Sequence, residues 1–361
     1  MNILLVTMEM NIGGAETHIL ELAKELKKQN NEVSVISAGG SFVPELEKNG
    51  VVHTYAPLKD KKPKHVLDSV NIIKKTILEK KIDVVHAHAR IPGAICGYVC
   101  KKLKIHFVTT IHGIYRVNFL LKKITNWGEK ALAVSEDIRE HAIKEYKLNP
   151  DNIKVTVNGI NLEKFKKQEI TENFGFEVDR KRKKIIHISR LDKESSKVAE
   201  TLIEISGELE KDIKEGIDII IVGSGNYIDE LKQKAQCCKN VIFTGARTDV
   251  EKILNIADAF VGVSRAALEA MATELPVILA GNPDYGQGYQ GIFNKKKLEL
   301  AKSTNFTCRG LEKIEKETLK KDILQVLEED VKTMGTYNRS VVKEYYPVEK
   351  MTSDALELYK F

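Results

Sequence analysis

Short runs of apolar residues alternate with amphipathic stretches along most of this chain. The runs are strand-sized, whereas a stretch such as ETHILELAKELKK repeats its apolar residues three and four positions apart. Continuous apolar runs are typical of strands buried on both faces of a parallel sheet, and the intervening spacing is typical of the helices that cover it. In the first half, the pattern predicts strands at 2–7, 32–37, 51–55, 83–87, 107–111, 131–135 and 153–157.

A charged, irregular segment, residues 163–184, interrupts this rhythm, which then starts again. Later strands are predicted at 184–189, 217–222, 241–245, 258–262 and 276–280, followed by charged helical sequence. We therefore predict an α/β chain with two Rossmann-like, doubly wound domains and a cleft between them. The domain predictions are an N-terminal, acceptor-side domain over 1–162, a linker over 163–184, a nucleotide-binding domain over 185–340, and a C-terminal helix over 341–361 that returns to the N-terminal domain.

Composition narrows the class of protein. The 361 residues are 42% hydrophobic, enough for two cores, but no apolar run approaches the roughly 20 residues of a membrane span. The first strand has no basic leader, which favours a cytoplasmic protein. The five cysteines form no paired C-x-x-C spacing, so we expect reduced, buried thiols rather than disulfides or a zinc site; they are Cys96, Cys100, Cys237, Cys238 and Cys308.

The net charge of +6 is concentrated in the N-terminal part of the chain. Residues 1–160 hold 24 Lys and Arg against 17 Asp and Glu, which leaves 33 against 34 for the rest. Such asymmetry could attract an anionic surface or acceptor, although solvated helix faces are the more common explanation. Nothing in the pattern indicates a nucleic-acid partner.

Candidate residues of the first half follow predicted strands. Gly13 and Gly14 open a helix after the first strand, where free N–H groups favour an anion; an ordinary turn is an equally good explanation. His112 follows FVTTI and could donate a hydrogen bond to a sugar hydroxyl or a developing charge. His86 and His88 also lie at a strand end, where at least one is expected to be structural.

The second half offers cations and a carboxylate. Arg190 follows a strand, with Lys193 and Lys197 close behind, and such groups suit a diphosphate, although an isolated pair of this kind is usually a surface feature. Gly223 lies in a loop of close backbone approach after the next strand. Glu269 opens a helix and could accept hydrogen bonds from ribose hydroxyls, or simply be exposed.

Several enzyme classes lack their motifs in this sequence. There is no G-x-x-x-x-G-K-[ST], no G-x-S-x-G, no H-E-x-x-H and no pair of aspartates separated by one residue. A P-loop enzyme, a serine hydrolase, a zinc protease and a D-x-D metal-bridged diphosphate site are therefore disfavoured.

Taken together, the segments resemble those of the family 4 glycosyltransferases, retaining enzymes of the GT-B fold with two facing Rossmann-like domains. The resemblance extends over essentially the whole chain. It rests on the order and spacing of GGAE (13–16), TIHG (110–113), VNGINLEKF (157–165), SRL (189–191), IVGSGNYIDEL (221–231), VIFTGAR (241–247) and LEAMATELPV (268–277).

The resemblance implies roles for particular residues. Gly14 would lend its amide to the donor diphosphate, Arg190 would neutralise it, Glu269 would bind the ribose, and His112 would lie beside the donor sugar. Catalysis would come largely from stabilising the charge of the departing diphosphate. No metal ion and no cofactor are expected, and the nucleotide-sugar is a substrate.

Two positions depart from the family's pattern. The family commonly has a basic residue five positions after the arginine, where this chain has Ser195, so Lys193 or Lys197 would have to replace it. The family's E-x7-E pattern places a first glutamate eight residues before the second, which corresponds here to Val261. Ser264 and Arg265 would then hold the donor sugar.

Two other segments carry competing interpretations. The glycine-rich stretch 281–291 could close over the donor, although a mobile surface loop is at least as good an explanation. The segment 116–127 alternates apolar and basic residues at helical spacing and could touch a membrane that carries a lipid-linked acceptor. We favour instead a helix that packs Phe119, Leu120 and Ile124 into the core.

The sequence thus predicts a metal-independent, retaining glycosyltransferase acting from a nucleotide-sugar donor on a cell-surface glycan or its lipid-linked precursor, with peripheral membrane contact through the basic domain. Val261 and Ser195 motivate an alternative, a catalytically weakened GT-B protein that acts as a binding or scaffold partner. A sugar-nucleotide epimerase is a third class, which the motifs of the second half fit poorly.

Overall fold

The computed structural model describes residues 1–171, 174–177 and 179–360. The chain divides into two compact units, one made of residues up to Gly159 and from Pro347 onward, the other of Ile160–Tyr346. The predicted linker, 163–184, includes residues 172, 173 and 178, which lie outside the described part. The rest of that segment belongs to the second unit, whose first strand begins at Lys183.

The first unit is built on a seven-stranded parallel sheet of order β3-β2-β1-β4-β5-β6-β7. Its strands are β1 Asn2–Val6, β2 Glu32–Ser37, β3 Val52–Tyr55, β4 Val84–Ala87, β5 His106–Ile111, β6 Lys130–Ala133 and β7 Ile153–Val155. The helices are α1 Gly14–Lys28, α2 Val43–Lys48, α3 Pro63–Glu79, α4 Arg90–Leu103, α5 Phe119–Ile124 and α6 Glu136–Tyr146.

Both faces of this sheet are covered because neighbouring residues of each central strand point to opposite sides. Ile3 and Leu5 of β1 pack with α1, whereas Leu4 and Val6 pack in a second cluster that includes α3 and α4. This two-sided burial explains why the strands read as continuous apolar runs.

The second unit contains a six-stranded sheet of order β10-β9-β8-β11-β12-β13, in which only β13 is antiparallel to its neighbour among the described strands. Its strands are β8 Lys183–Ile188, β9 Ile217–Val222, β10 Val241–Gly245, β11 Ala259–Gly262, β12 Val277–Ala280 and β13 Tyr289–Ile292. The helices are α7 Lys197–Asp212, α8 Ile228–Lys234, α9 Val250–Leu254, α10 Ser264–Ala272, α11 Leu298–Ser303, α12 Lys316–Glu328 and α13 Val331–Tyr345.

The last helix, α14 Val348–Leu358, belongs to the first unit. Its residues Val348, Met351, Ala355 and Leu358 are buried in the cluster formed by α1 and β1. The chain leaves the second unit between Tyr346 and Pro347, later than the predicted boundary at 340, because α13 continues to Tyr345. Pro347 cannot continue α13, because proline lacks the backbone N–H that a helix interior needs, but proline is tolerated at the start of the next helix.

The α/β, doubly wound fold class is confirmed, and each strand predicted from the apolar pattern is present. Strand β13 was missed. It falls partly in the segment 281–291, where we expected a lid or a mobile loop, but Gly291 and Tyr289 pair with β12. The end of that segment is therefore part of the sheet, and the glycines hid it because they carry no apolar side chain.

The favoured interpretation of segment 116–127 is wrong. Within it the helix extends only over α5, and Phe119, Leu120 and Ile124 are 74%, 66% and 53% exposed. Only Trp127 is buried, against Tyr115 and Tyr146.

The cysteine prediction is partly wrong. All five thiols are free, as expected, and Cys96, Cys100 and Cys308 are buried. Cys237 is exposed and Cys238 is half-buried, because both follow the short helix α8 at the surface.

Candidate active site

Each sheet reverses its strand order at one place, the switch point, where ligands of doubly wound folds bind at the carboxyl ends of the strands. In the first unit, the switch point lies between β1 and β4; in the second it lies between β8 and β11. His88 and His112 directly follow β4 and β5, and Arg190 follows β8. The residues predicted from strand ends are thus gathered at these two edges.

Four histidines, which we call the histidine cluster, lie at this edge of the first unit: His18, His86, His88 and His112. Nδ1 of His88 lies 3.2 Å from Nε2 of His112, so one ring donates a hydrogen bond to the other. His18 meets His112 edge to face, with 4.8 Å between ring centroids, and its Nδ1 lies 3.1 Å from Oδ1 of Asn158.

His86 is the structural member of the cluster. Its Nδ1 pairs with the hydroxyl of Tyr359 at 2.7 Å and its Nε2 with that of Thr110 at 2.8 Å. His88 differs, because its Nε2 is buried without a hydrogen-bond partner among the described residues. The expectation that at least one of His86 and His88 is structural is therefore met by His86.

Loss of solvent keeps the rings of His86, His88 and His112 neutral. Loss of solvent lowers the pKa of His86 to about 3 and that of His112 to about 4, and it lowers the pKa of His88 well below its ordinary value. A neutral His112 can both donate and accept a hydrogen bond, which suits contact with sugar hydroxyls.

One ring nitrogen from each of His18, His88 and His112 lies within 4.8 Å of the other two, so these rings could hold a metal ion. The expectation that no metal is needed stays a prediction.

His18 was missed as a cluster member. Its position four residues into α1, the helix that begins at the switch point, is the signal that could have indicated it.

Gly13 and Gly14 begin α1 without a side-chain cap. A Cβ at Gly14 would meet nothing within 4 Å, so open space lies before the first turn of the helix. Its free N–H groups are therefore accessible to an anion.

In the second unit, Arg190 is exposed and lies 3.9 Å from a carboxylate oxygen of Asp192. Ser195 is buried and its hydroxyl donates to the carbonyl of Arg190, so it shapes this loop and offers no cation. Lys193 is exposed in the same loop, and Lys197 begins α7 with its ammonium 3.9 Å from Glu200. Both lysines stay candidates for the second cation.

Gly223, a predicted donor-binding glycine, makes a close backbone approach within the chain itself. A Cβ there would lie 1.9 Å from the carbonyl oxygen of Ser189, and its φ is +146°. The close approach is therefore between the chain's own loops, and the glycine lets the β9 loop pack beneath the loop that carries Arg190.

The position eight residues before Glu269, where the family's pattern has its first glutamate, is part of a buried strand in this structure. Val261 lies inside β11, pairs with Ile278 and is fully buried in the core. Only Val263 separates β11 from α10, so counting eight residues back from Glu269 reaches the strand instead of the loop. The predicted strand at 258–262 already contained this information.

Ser264, Arg265 and Glu269 lie together on α10. Ser264 begins the helix with a φ of +58°, and its amide donates to the carbonyl of Phe306 at 2.7 Å. Nε of Arg265 donates to Oε1 of Glu269 at 2.9 Å, and both side chains are almost wholly buried. Glu269 is thus not the exposed residue of the alternative interpretation.

His187 joins the two strands of this switch point. Its Nδ1 donates to the carbonyl of Val261 at 2.8 Å, and its Nε2 lies 2.8 Å from the hydroxyl of Ser189. Burial lowers its pKa to about 4, so the ring is neutral.

Two family models match this chain. Residues 12–164 match the model described as Glycosyltransferase Family 4, and residues 182–301 match that described as Glycosyl transferases group 1. The chain belongs to the family 4 glycosyltransferases, and it is a glycosyltransferase of the GT-B fold.

Individual relatives share less than 30% of their residues with this chain. The chain is 24% identical over 387 residues to N-acetyl-alpha-D-glucosaminyl L-malate synthase of Bacillus anthracis, with 98% of this chain and 95% of that protein covered. It is 27% identical over 275 residues to the Escherichia coli UDP-Gal:alpha-D-GlcNAc-diphosphoundecaprenol alpha-1,3-galactosyltransferase, with 66% and 65% covered. A similar solved structure is Anabaena HepE in complex with UDP-glucose, at a TM-score of 0.76 and 18% identity, with 99% and 98% covered.

Proposed function

We propose that this glycosyltransferase moves a sugar from a nucleotide-sugar donor to a cell-surface glycan or its lipid-linked precursor, retains the anomeric configuration of the donor and needs no metal ion. The observation that carries the proposal is the arrangement at the switch point of the second unit. There Arg190 follows β8, while the Arg265–Glu269 pair lies in the first two turns after the adjacent strand, β11.

Each part of a nucleotide-sugar has a group that suits it. Arg190, with Lys193 or Lys197, would stabilise the diphosphate as the bond to the sugar breaks. Glu269 would accept from the ribose hydroxyls, and the neutral His112 would contact the donor sugar. The open first turn of α1, beginning at Gly14, adds further N–H donors for an anion.

Similar proteins support the choice of substrates. HepE is described in complex with UDP-glucose, and the Escherichia coli relative is named for a galactosyl donor and a diphosphoundecaprenol-linked acceptor. We extend the nucleotide-sugar and the lipid-linked acceptor to this chain as part of the proposal, together with a location in the cytoplasm at the inner face of the membrane.

Arg190→Ala is expected to lower turnover of the preferred nucleotide-sugar by about 10²- to 10³-fold, because one preset donor to the departing charge is lost. The assay incubates purified chain with a panel of nucleotide-sugars and follows donor hydrolysis and transfer, with and without EDTA. Arg180→Ala, an exposed arginine before β8, is the matched control and should change the rate less than twofold.

The outcomes separate the parts of this proposal. Absence of binding to every nucleotide-sugar would overturn the function itself. A rate abolished by EDTA would overturn only its metal independence, and an inverted product would overturn only retention.

Membrane contact is proposed through the α5 surface, defined by the exposed Phe119, Leu120 and Ile124 with the neighbouring Lys122 and Lys123. The ammonium of Lys123 lies 4.4 Å from the centre of the Phe119 ring, so apolar and basic groups form one patch. Such a combination suits an anionic lipid surface. Among the described residues, no helix is long and apolar enough to cross a bilayer.

Phe119→Gln combined with Leu120→Gln is expected to weaken binding to vesicles of anionic phospholipid by about tenfold or more, since two exposed apolar side chains lose their burial in lipid. The thermal midpoint should hardly change, because surface substitutions of this kind shift stability by only about 0.5 kcal/mol. Cosedimentation measures the first and circular dichroism the second. Leu67→Gln, another exposed apolar residue in the same unit, serves as control; equal loss in both variants would contradict a specific α5 surface.

A further inference from the structure

Arg265 combines two features that rarely occur together. The residue is only 4% exposed, and within the described part of the chain its guanidinium has a single ion-pair partner, Glu269, through Nε. Both terminal nitrogens, Nη1 and Nη2, are shielded from solvent and have no hydrogen-bond partner among the described residues. Four of the five N–H groups of this cation are therefore left without an acceptor.

Without a further partner, burying Arg265 costs the folded protein free energy. A buried cation loses its hydration, and one carboxylate satisfies only part of its hydrogen-bonding capacity. Buried hydrogen-bond donors are nearly always paired in native proteins. Two unpaired nitrogens on the same guanidinium therefore indicate that an acceptor is missing.

The location of Arg265 indicates what kind of acceptor is missing. It lies in the first turn of α10, and Val263, at the N-cap position just before the helix, offers no side-chain cap. The start of a helix carries partial positive charge, and Arg190 follows the adjacent strand of the same switch point. Three positive contributions at one strand edge favour an anion over the neutral hydroxyls of a sugar.

The geometry of the guanidinium narrows the class of anion. Nη1 and Nη2 form a planar fork that matches two oxygens of a phosphate or a carboxylate. The ion pair to Glu269, one helical turn away, holds the Nε side of the group and leaves the fork for another partner.

We propose that Arg265, held by Glu269, binds two oxygens of an anionic group of the donor through its Nη1 and Nη2 nitrogens. This inference rests on the proposed function, because the anion is part of a nucleotide-sugar. Two sources share the required chemistry, a phosphate of the nucleotide and a carboxylate carried by the transferred sugar. Since both nitrogens are sealed from water in the free chain, the side chain must turn or its cover must move when the anion arrives.

The test measures dissociation constants by calorimetry for the full chain. The diphosphates of uridine, guanosine, adenosine and thymidine are compared first, and the base that binds defines the series. The second set consists of the nucleoside, its diphosphate, its diphosphoglucose and its diphosphoglucuronate. Arg265→Lys keeps the charge and can keep the Glu269 pair but loses the fork, and Arg265→Gln is a second variant without charge. Arg182→Lys, an arginine paired with Glu210 and Asp218 before β8, is the matched control.

If a phosphate is the partner, both Arg265 variants should bind the diphosphate and both of its sugar derivatives about 10- to 100-fold more weakly, with the nucleoside unchanged. If a carboxylate is the partner, only the glucuronate derivative should lose affinity. The control should change each constant less than twofold, and circular dichroism should show that each variant is folded.

Two results would overturn the inference while leaving the proposed function intact. One is an unchanged affinity of the Arg265 variants for all four ligands. The other is an equal loss for the nucleoside and the diphosphate, which would mean that Arg265 acts only by placing Glu269 against the ribose. If the unaltered chain binds none of the four diphosphates, the proposed function fails, and the inference fails with it.

Discussion

Glu269→Ala is expected to lower the free energy of unfolding by about 3–5 kcal/mol, because it strands the buried guanidinium of Arg265 without its carboxylate. Both side chains are almost wholly buried, at 5% and 11% exposure, so water cannot replace the lost partner. The measurement is the urea dependence of unfolding, followed by circular dichroism. The same variant should no longer bind the nucleotide, since Glu269 is the proposed ribose acceptor.

Matched variants separate stability from binding in this prediction. Glu269→Gln keeps an acceptor for Nε and should cost less stability than alanine. The double variant Arg265→Met with Glu269→Met removes both charges and should recover most of the lost stability, because a buried ion pair can be replaced by apolar groups at little cost. It should still fail to bind nucleotide. A Glu269→Ala protein as stable as the original would contradict the buried pair.

The sheets could be predicted from sequence, because a strand that is buried on both faces needs apolar residues at successive positions. Strands such as β1 and β12 contain continuous apolar runs, and the order of the strands along the chain specifies a doubly wound fold. Strand β13 left no such record, since its residues include Gly291 and half-buried polar groups at a sheet edge.

The site could be predicted only in part, for a similar reason. Strand ends located His112 and Arg190, because a residue that follows a buried strand must lie at the sheet edge. Counting eight residues back from Glu269 could not show that Val261 lies within β11, because the length of the link between this strand and α10 depends on the fold. The approach of Gly223 to Ser189 could not be predicted, because the sequence does not show which backbone a glycine approaches.

Contacts between residues far apart in the sequence could not be predicted either. His18 and His88 are 70 residues apart in number but meet in one cluster, with 5.9 Å between their ring centroids. The exposure of Phe119 and Leu120 was hidden for the opposite reason, because a short helix with apolar residues reads as a buried one. Both cases depend on tertiary packing, which periodicity does not encode.

The stability of the protein is expected to fall as the pH is lowered from about 6.5 to about 4, through its buried histidines. Burial lowers the pKa of His187 to about 4, against an ordinary value of 6.5, and it lowers those of His112 and His86 to about 4 and about 3. In this range the unfolded chain binds protons that the folded chain excludes, so acid favours unfolding. The stabilisation is complete above the unfolded pKa and is lost as the pH falls towards the folded one.

His187 alone should account for about 3 kcal/mol over this range, since each unit of pKa difference corresponds to about 1.4 kcal/mol. Urea unfolding at a series of pH values measures the total, and His187→Gln isolates one group. That variant should be less stable at pH 7, because glutamine cannot reproduce both bonds of the ring, to Val261 and to Ser189. Its dependence on pH should be shallower by about 1.4 kcal/mol per unit over the middle of the range.

The unaltered protein is the reference for His187→Gln, because the two chains differ in one ring only. Carboxylates also titrate near pH 4, but they contribute equally to both profiles, so the difference between His187→Gln and the unaltered protein reports the histidine. If the two curves stay parallel from pH 6.5 to 4, the neutral, buried His187 that joins β8 to β11 is contradicted.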